Sequence, residues 1–483
     1  MKPVARKLTA ICLAGMLPAF GAYAQDDGVA SLPVFKGPFP ETRNMVFLSQ
    51  IAPDDLGALP VPGVWAKGMM NDIGGWTSPA GEEYALATNS GGIAIVRVTD
   101  PANPEFLGRV ESQNPFDFRN IWGDPDTFGN YGYFTTEIDD SSVVIIGLSG
   151  LDALPAVDDP FADLPAPVHF FNGGGYDGSH NVVINEETGF AYLAGVHLKA
   201  GAANNACGAE TPARFNTLIL DLKADPTNPS VVACLEDVGE HDFHVVNYDG
   251  PDGDHTGREI LFVFDGRDRE GQAAGNPVGG YTRIWDVTDK NNIVELAKFR
   301  TEGMVFSHNG ATTEEQDFLF VGDELDELVM ANWSATGVFA QPPAETTNKP
   351  RTGTYVIDIR DLDNPVLSQR FENETVGLDH NFQVVGDKLH IASYTSGTRV
   401  LQIGRDGFDD VVLEEVGTMD TEPRLPGNIL NINQEERFGN AFLGQWGMFV
   451  FEDSGTIIAS DLNNGLIVMR ESDIPCHGIK CSR

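Results

Sequence analysis

One hairpin pattern returns along the whole chain, and it narrows the possible folds more than any other feature. Full copies read "GGIAIVRVTDPANPEFLG" from residue 91, "NTLILDLKADPTNPSVV" from 216, "YTRIWDVTDKNNIVEL" from 281 and "GTYVIDIRDLDNPVLS" from 353. Weaker copies begin at residues 141, 397 and 465. Each has an alternating run rich in β-branched residues, then Asp, Pro and Asn in a turn, then a second short strand, which together mark a hairpin. Another pair of strand-like runs precedes each copy, as in "VVINEETGFAYLAG" from 182. Four short antiparallel strands per unit, recurring every 48 to 72 residues without long helical periodicity, describe propeller blades rather than a sandwich.

The seventh copy, "GLIVMR", has no outer strand after it, whereas "NMVFLSQI", residues 44 to 51, precedes the first blade without a partner. Lending that strand to the last blade closes the ring and removes an exposed edge. The expected fold is all-β: a single closed seven-bladed β-propeller over residues 41–470, the N-terminal strand completing the last blade. Residues 25–40 form an N-terminal extension and 471–483 a C-terminal tail in this reading. Residues 1–24 read as a secretory signal peptide, because Lys2, Arg6 and Lys7 precede the apolar "LTAICLAGML" and the small-residue ending "AYA". The protein is therefore expected to be secreted or periplasmic, with no transmembrane segment.

Export bears on the cysteines. Cys12 leaves with the signal, and Cys207, Cys234, Cys476 and Cys481 remain as an even set in an oxidising compartment. The expected pairs are Cys207 with Cys234 and Cys476 with Cys481; the two groups lie too far apart in sequence to recommend a cysteine metal site. A formal net charge of −40 argues against nucleic acid as a partner, since phosphate backbones are bound by cationic surfaces. Such acidity serves solubility or divalent-cation binding.

A polar pair recurs where each unit's innermost strand begins. Aligning "NDIGGW" at 71, "RNIWGD" at 119, "HNVVIN" at 180, "HDFHVV" at 241, "HNGATT" at 308, "HNFQVV" at 380 and "QWGMFV" at 445 gives two columns. The first reads Asn71, Arg119, His180, His241, His308, His380, Gln445; the second reads Asp72, Asn120, Asn181, Asp242, Asn309, Asn381, Trp446. Side chains alternate along a strand, so a first column facing the channel sends the second between blades. The ends of the neighbouring strands add Glu137, His197, Asp265, Arg267, Asp323, Glu324, Tyr394 and Asp461 to the same face.

Four imidazoles in register suit Zn, Cu or Fe, with Glu324 or Asp265 as a proton acceptor if the site is catalytic. The bland alternative is that channel histidines bond water and loops. Calcium is a separate expectation for the acidic loops "YDGPDGD" at 248 and "GDELDE" at 322, neither of which has EF-hand spacing. His244 should face away from the channel as a structural residue, His255 falls in a far-end turn, and His477 lies in the tail. No G-x-S-x-G elbow occurs, and the serines before His180 and His308 point oppositely to them, so nucleophilic catalysis has little support.

On "NDIGGW" at 71, "SHNVVINEETGFAYLAG" at 179, "HDFHVVNYDGPD" at 241, "TTEEQDFLFVGDELDE" at 312, "DIRDLDNP" at 358 and "GLDHNFQVVGDKLHIASYTSGTRVLQI" at 377, the chain resembles the choice-of-anchor B family of exported LVIVD-repeat proteins. That resemblance implies an exported propeller and no particular activity. Two departures stand out: "HNGA" lacks the Gln-Gly-Trp usual after the blade-five histidine, and no sorting helix or cell-wall anchor follows residue 470. Three functions fit these observations. The first is a binding propeller whose His-rich face holds a transition metal or a polar small-molecule or surface ligand. The others are a metal-dependent enzyme, either a copper or iron oxidoreductase or a metal-assisted hydrolase, and a structural surface module with calcium-binding loops.

Overall fold

In the computed structural model, seven antiparallel sheets stand in a ring and form a seven-bladed β-propeller. The structure describes residues 33–472 except 41, 62–66, 116, 200–206, 208–212, 237–240, 267–279, 303, 326–352, 373–376 and 425–441. The signal peptide, the C-terminal tail with Cys476, Cys481 and His477, and the candidate Arg267 lie outside the described residues. Among those residues the helical elements are 3-10 turns of three or four residues, and no helix is long and apolar enough to cross a membrane.

Blade one runs from its inner strand Met70–Thr77 through Glu83–Asn89 and Gly92–Arg97 to the outer Glu105–Glu111. The inner strands of blades two to seven are Gly123–Phe128, Asn181–Asn185, Asp242–Asn247, Ser307–Thr312, Phe382–Val385 and Gln445–Val450. The second strands of these blades are buried on both faces. In blade four "EILFVF", Glu259–Phe264, is buried at every position. Ile260, Phe262 and Phe264 pack toward blade five, and Leu261 and Val263 toward blade three. The apolar core is therefore divided among the seams between neighbouring sheets, each fully buried large side chain contributing about 1.5–3 kcal/mol.

The repeated turn has a single chemistry. Asp100, Asp225 and Asp361 each accept, through side-chain oxygens, backbone N–H groups two or three residues on. Asn103, Asn228, Asn292 and Asn364 close the same turn onto the carbonyls of Asp100, Asp225, Asp289 and Asp361. Asp and Asn are favoured there because a short polar side chain replaces a backbone partner. Blade two lacks this turn: its third strand ends at Gly147 and the outer strand, Val168–Phe171, arrives only after a long connection with a 3-10 turn at Leu151–Ala153.

Met45–Ile51 forms the outer strand of blade seven, pairing antiparallel with Gly465–Glu471 from Met45 opposite Glu471 to Ile51 opposite Leu466. The same N-terminal segment does something the sequence did not suggest: Thr42–Arg43 first adds to the outer edge of blade six, against Thr418 and Met419. One continuous stretch thus stitches both sides of the last seam, and Met45 and Phe39 are buried in the cluster between those blades. The expected bond between Cys207 and Cys234 is present, tying the loop before the third strand of blade three to its outer strand.

Deleting residues 41–52 should give an aggregating or unfolded product in size-exclusion chromatography and circular dichroism. A well-folded monomer would refute closure by this strand.

Candidate metal centre at the channel mouth

The four histidines of the first column come together. Adjacent ring centroids are 4.5 Å apart for His180 and His241, 4.1 Å for His241 and His308, and 4.1 Å for His308 and His380, each pair tilted by 50°. A repeated bond sets this arrangement: Nδ1 of His241 bonds the carbonyl of His308 at 3.0 Å, and Nδ1 of His308 that of His380 at 3.1 Å. His380 continues the series with Nδ1 on the carbonyl of Trp446 at 2.6 Å. A carbonyl only accepts, so Nδ1 carries the proton in all three rings, and in the neutral imidazole Nε2 is the nitrogen with a lone pair.

Blade seven therefore contributes Trp446 to the histidine column, its ring 4.6 Å from that of His380 at a tilt of 54°. Gln445, which sequence alignment put there, is buried and accepts a bond from Thr398. Gln445 opposes Asp461 as Ser307 opposes Asp323, so it corresponds to the residue before His308 and the irregularity that follows carries Trp446. Blade two needs a larger correction. Thr88 Oγ1 bonds the carbonyl of Gly123 as Thr135 Oγ1 bonds that of His180, and Val182 N donates to Asp124 as Phe382 N donates to Asn309. Gly123 and Asp124 thus replace Arg119 and Asn120 in the two columns, because Phe118–Ile121 is a 3-10 turn leading into the strand.

The second column serves both the blade interfaces, as Asn309 does by accepting Phe382 N, and the channel. Asp72, Asn181 and Asn381 line the same cavity as the four histidines, with Trp122, Gly123 and Trp446 around it. Strict alternation fails because His180, His241 and His380 lie before their strands begin. Asn309 donates to Asp242, and Asn381 donates across blade seven to Asp72. Gly447 makes that crossing possible, since a Cβ there would fall on Asp72 Oδ1. Burial pushes the Asp72 carboxyl up to about 7, with the Asp242 charge adding to it. Asp124 and Asp242 are raised too, again chiefly by burial.

The imidazoles are electrostatically unequal. Burial holds His308 and His380 well below the ordinary histidine range, and neighbouring imidazoles add to the effect. Burial is the largest influence on His180 and acts to lower it, but the bond from its Nδ1 to Glu137 Oε1, at 2.6 Å, together with the charges of Glu137, Asp242 and Glu324, raises the pKa. Among the described residues His308 Nε2 is buried without a hydrogen-bond partner, and it lies 3.7 Å from Glu324 Oε2. His241, His308 and Glu324 offer ligand atoms that all fall within 4.8 Å of one another. Two nitrogens and a carboxylate oxygen suit Zn, Cu or Fe. The cavity at the rings is about 10 Å³, the size of one water or small ion.

Other sequence candidates divide. Tyr394 bonds Glu324 Oε1 at 2.8 Å and sits edge-on to His380. Glu137 touches His180, while Arg119 pairs with Asp117 and Asp139, and Asp139 approaches His197 at 3.4 Å. Asn71 donates to the carbonyl of Asn120. Asp323 is spent on the backbone N–H groups of Val305, Phe306 and Leu325, and Asp461 on those of Asn463 and Asn464. Asp265 forms an ion pair with Arg283, whereas Glu324, the other proton-acceptor candidate, lies beside His308. His244 is a half-buried acceptor for Thr312 N, pushed down to about 4 by desolvation.

The acidic loop at 248 behaves differently from an oxygen-only calcium site. Asp252 Oδ2 accepts Leu362 N, and Asp252, His255 and Asp363 form a second group of potential ligands that includes a nitrogen. These residues lie on inner-hairpin and outer-hairpin turns, at the end of the blades opposite the imidazoles. In "GDELDE", Asp323 and Glu324 are accounted for above, and residues 326 and 327 lie outside the described residues.

No family model matches this chain, and no curated protein does. Among solved structures it is similar to a functionally unknown protein from Desulfotomaculum acetoxidans DSM 771, with 10% sequence identity and a TM-score of 0.43. That match covers 84% of this chain and 99% of the other.

Two measurements test this geometry. Nitrogen NMR at pH 7 should find His241, His308 and His380 protonated at Nδ1, with His308 and His380 taking up their second proton only below the ordinary histidine range. Because folding lowers those two pKa values below the unfolded value near 6.5, their contribution to stability is fully present above that pH and is lost as pH falls. Gly447→Ala should cost about 2 kcal/mol in chemical denaturation by overpacking Asp72; an unchanged midpoint would show that the carboxylate crosses elsewhere.

Proposed function

We propose that this protein is an exported metal-binding propeller, and that the channel mouth holds one first-row transition metal through Nε2 of His241, Nε2 of His308 and Glu324. The observation that carries this reading is the bond from each Nδ1 to the carbonyl of the next blade. Metal-ligating histidines characteristically spend their second nitrogen on a backbone carbonyl or carboxylate, which fixes the tautomer and aims the ring. Depressed pKa values at His308 and His380 mean that protons do not compete for their lone pairs at neutral pH. His380 completes the stack, and His180, committed to Glu137, stands beside it.

Burial favours holding an ion over turning over a substrate. His308, His380, Glu324 and Tyr394 are 1%, 3%, 4% and 0% exposed, and structural metal sites are closed whereas catalytic ones keep an open position. The same enclosure favours an ion over an organic ligand inside the rings, and a larger partner would meet the outer surface of the mouth. Export rests on the signal-like residues 1–24 and agrees with the Cys207–Cys234 bond. Membership of the choice-of-anchor B family rests on the sequence resemblance.

Elemental analysis of the protein purified without a metal-binding tag should find stoichiometric zinc, copper or iron, lost in the His241→Ala, His308→Ala double variant. Absence of any transition metal from the intact protein, even after reconstitution, would sink the proposal.

A further inference from the structure

Glu324 can act as a ligand only while its carboxylate stays turned toward the imidazoles, and Tyr394 grips one of its two oxygens. The Tyr394 hydroxyl donates to Oε1 at 2.8 Å, which leaves Oε2 as the oxygen 3.7 Å from His308 Nε2. The ring of Tyr394 is fully buried, edge-on to His380 at 4.9 Å and to Trp446 at 5.8 Å. It reaches this place through a φ of 31°, a left-handed conformation that is an outlier for a bulky aromatic.

The surrounding backbone enforces that conformation. The Tyr394 carbonyl accepts from Gln445 N at 2.9 Å and from Gly397 N at 3.0 Å, and Ser393 N donates to the Gly397 carbonyl. Gly444, at φ 96°, leaves room for the approach, since a Cβ there would meet the Tyr394 carbonyl. A tyrosine wanted only for its apolar ring could fill the space from a relaxed backbone. Here the strained turn delivers the hydroxyl to one carboxylate oxygen.

We infer that Tyr394 is a positioning residue for the metal centre, gripping Glu324 by Oε1 so that Oε2 completes a ligand set with His241 and His308. This rests on the metal reading above. Removing the hydroxyl lets the carboxylate turn away, which weakens binding and alters the ligand field, while the imidazoles stay locked by their carbonyls. Loss of such an outer partner commonly costs about 10–100-fold in metal affinity.

The test titrates Co²⁺ into the mature protein and its Tyr394→Phe, Glu324→Gln and doubly substituted forms, following visible absorption. Tyr394→Phe should bind about 10–100-fold more weakly than the parent, with a changed absorption envelope, and should add nothing further in the Glu324→Gln background. Parent-like affinity with a superimposable spectrum in Tyr394→Phe overturns the inference, as does an additive loss in the double variant. Should Tyr394→Phe fail to fold, Glu324→Gln decides, because glutamine keeps an acceptor for the hydroxyl. Parent-strength binding by that variant removes the ligand that Tyr394 is said to hold. A parent protein that takes up no Co²⁺ overturns the metal reading and this inference together, whereas binding with an indifferent Tyr394→Phe overturns this inference alone.

Discussion

Sheets arranged around one axis leave an open seam wherever the last lacks an outer strand, and here the start of the chain supplies it. Met45–Ile51 pairs along Gly465–Glu471, and Thr42–Arg43 continues onto blade six. The apolar core depends on this closure because it is distributed over seams. Opening one would expose an apolar seam and a bare strand edge together. Ring closure also sets the channel geometry, since each inner strand is located by its neighbours on both sides.

The imidazole stack is a consequence of that closure. His241, His308 and His380 each reach the next blade with Nδ1, so the bond that joins blades also chooses the tautomer. The blade interfaces and the lone pairs at the mouth are therefore one device. Asn309 to Asp242 and Asn381 to Asp72 are amide-to-carboxylate bonds around the channel, and burial raises the carboxyls of Asp72, Asp124 and Asp242. His180 is the exception in the stack because Glu137, not a carbonyl, faces its Nδ1.

The blade count, the closing strand, the Cys207–Cys234 bond and the gathering of four histidines were legible because each follows from a local pattern or a short-range pairing rule. The register of blades two and seven was not. "RNIWGD" offered an Asn that looked like its counterparts, whereas the strand begins at Gly123; the later "GDPD" carries the signal, an Asp one place after the column residue. In "QWGMFV" the hint was Gly447, a residue without a side chain where other blades have Asp or Asn. Bulges at strand starts shift such alignments, and their hydrogen-bond partners come from other blades.

Sequence alone determined the all-β class, the repeat and the chemical character of the channel residues, because periodicity and turn chemistry act over a few neighbouring positions. Only the tertiary structure decided which atoms face one another. It gave Glu324 to His308 and Tyr394, bound Asp265 to Arg283, and spent Asp323 and Asp461 on nearby backbone. Carboxylates that look alike in sequence acquire different roles through burial and partners, and those partners range from the adjoining turn for Asp461 to a tyrosine of the next blade for Glu324, which comes near only when the blades pack.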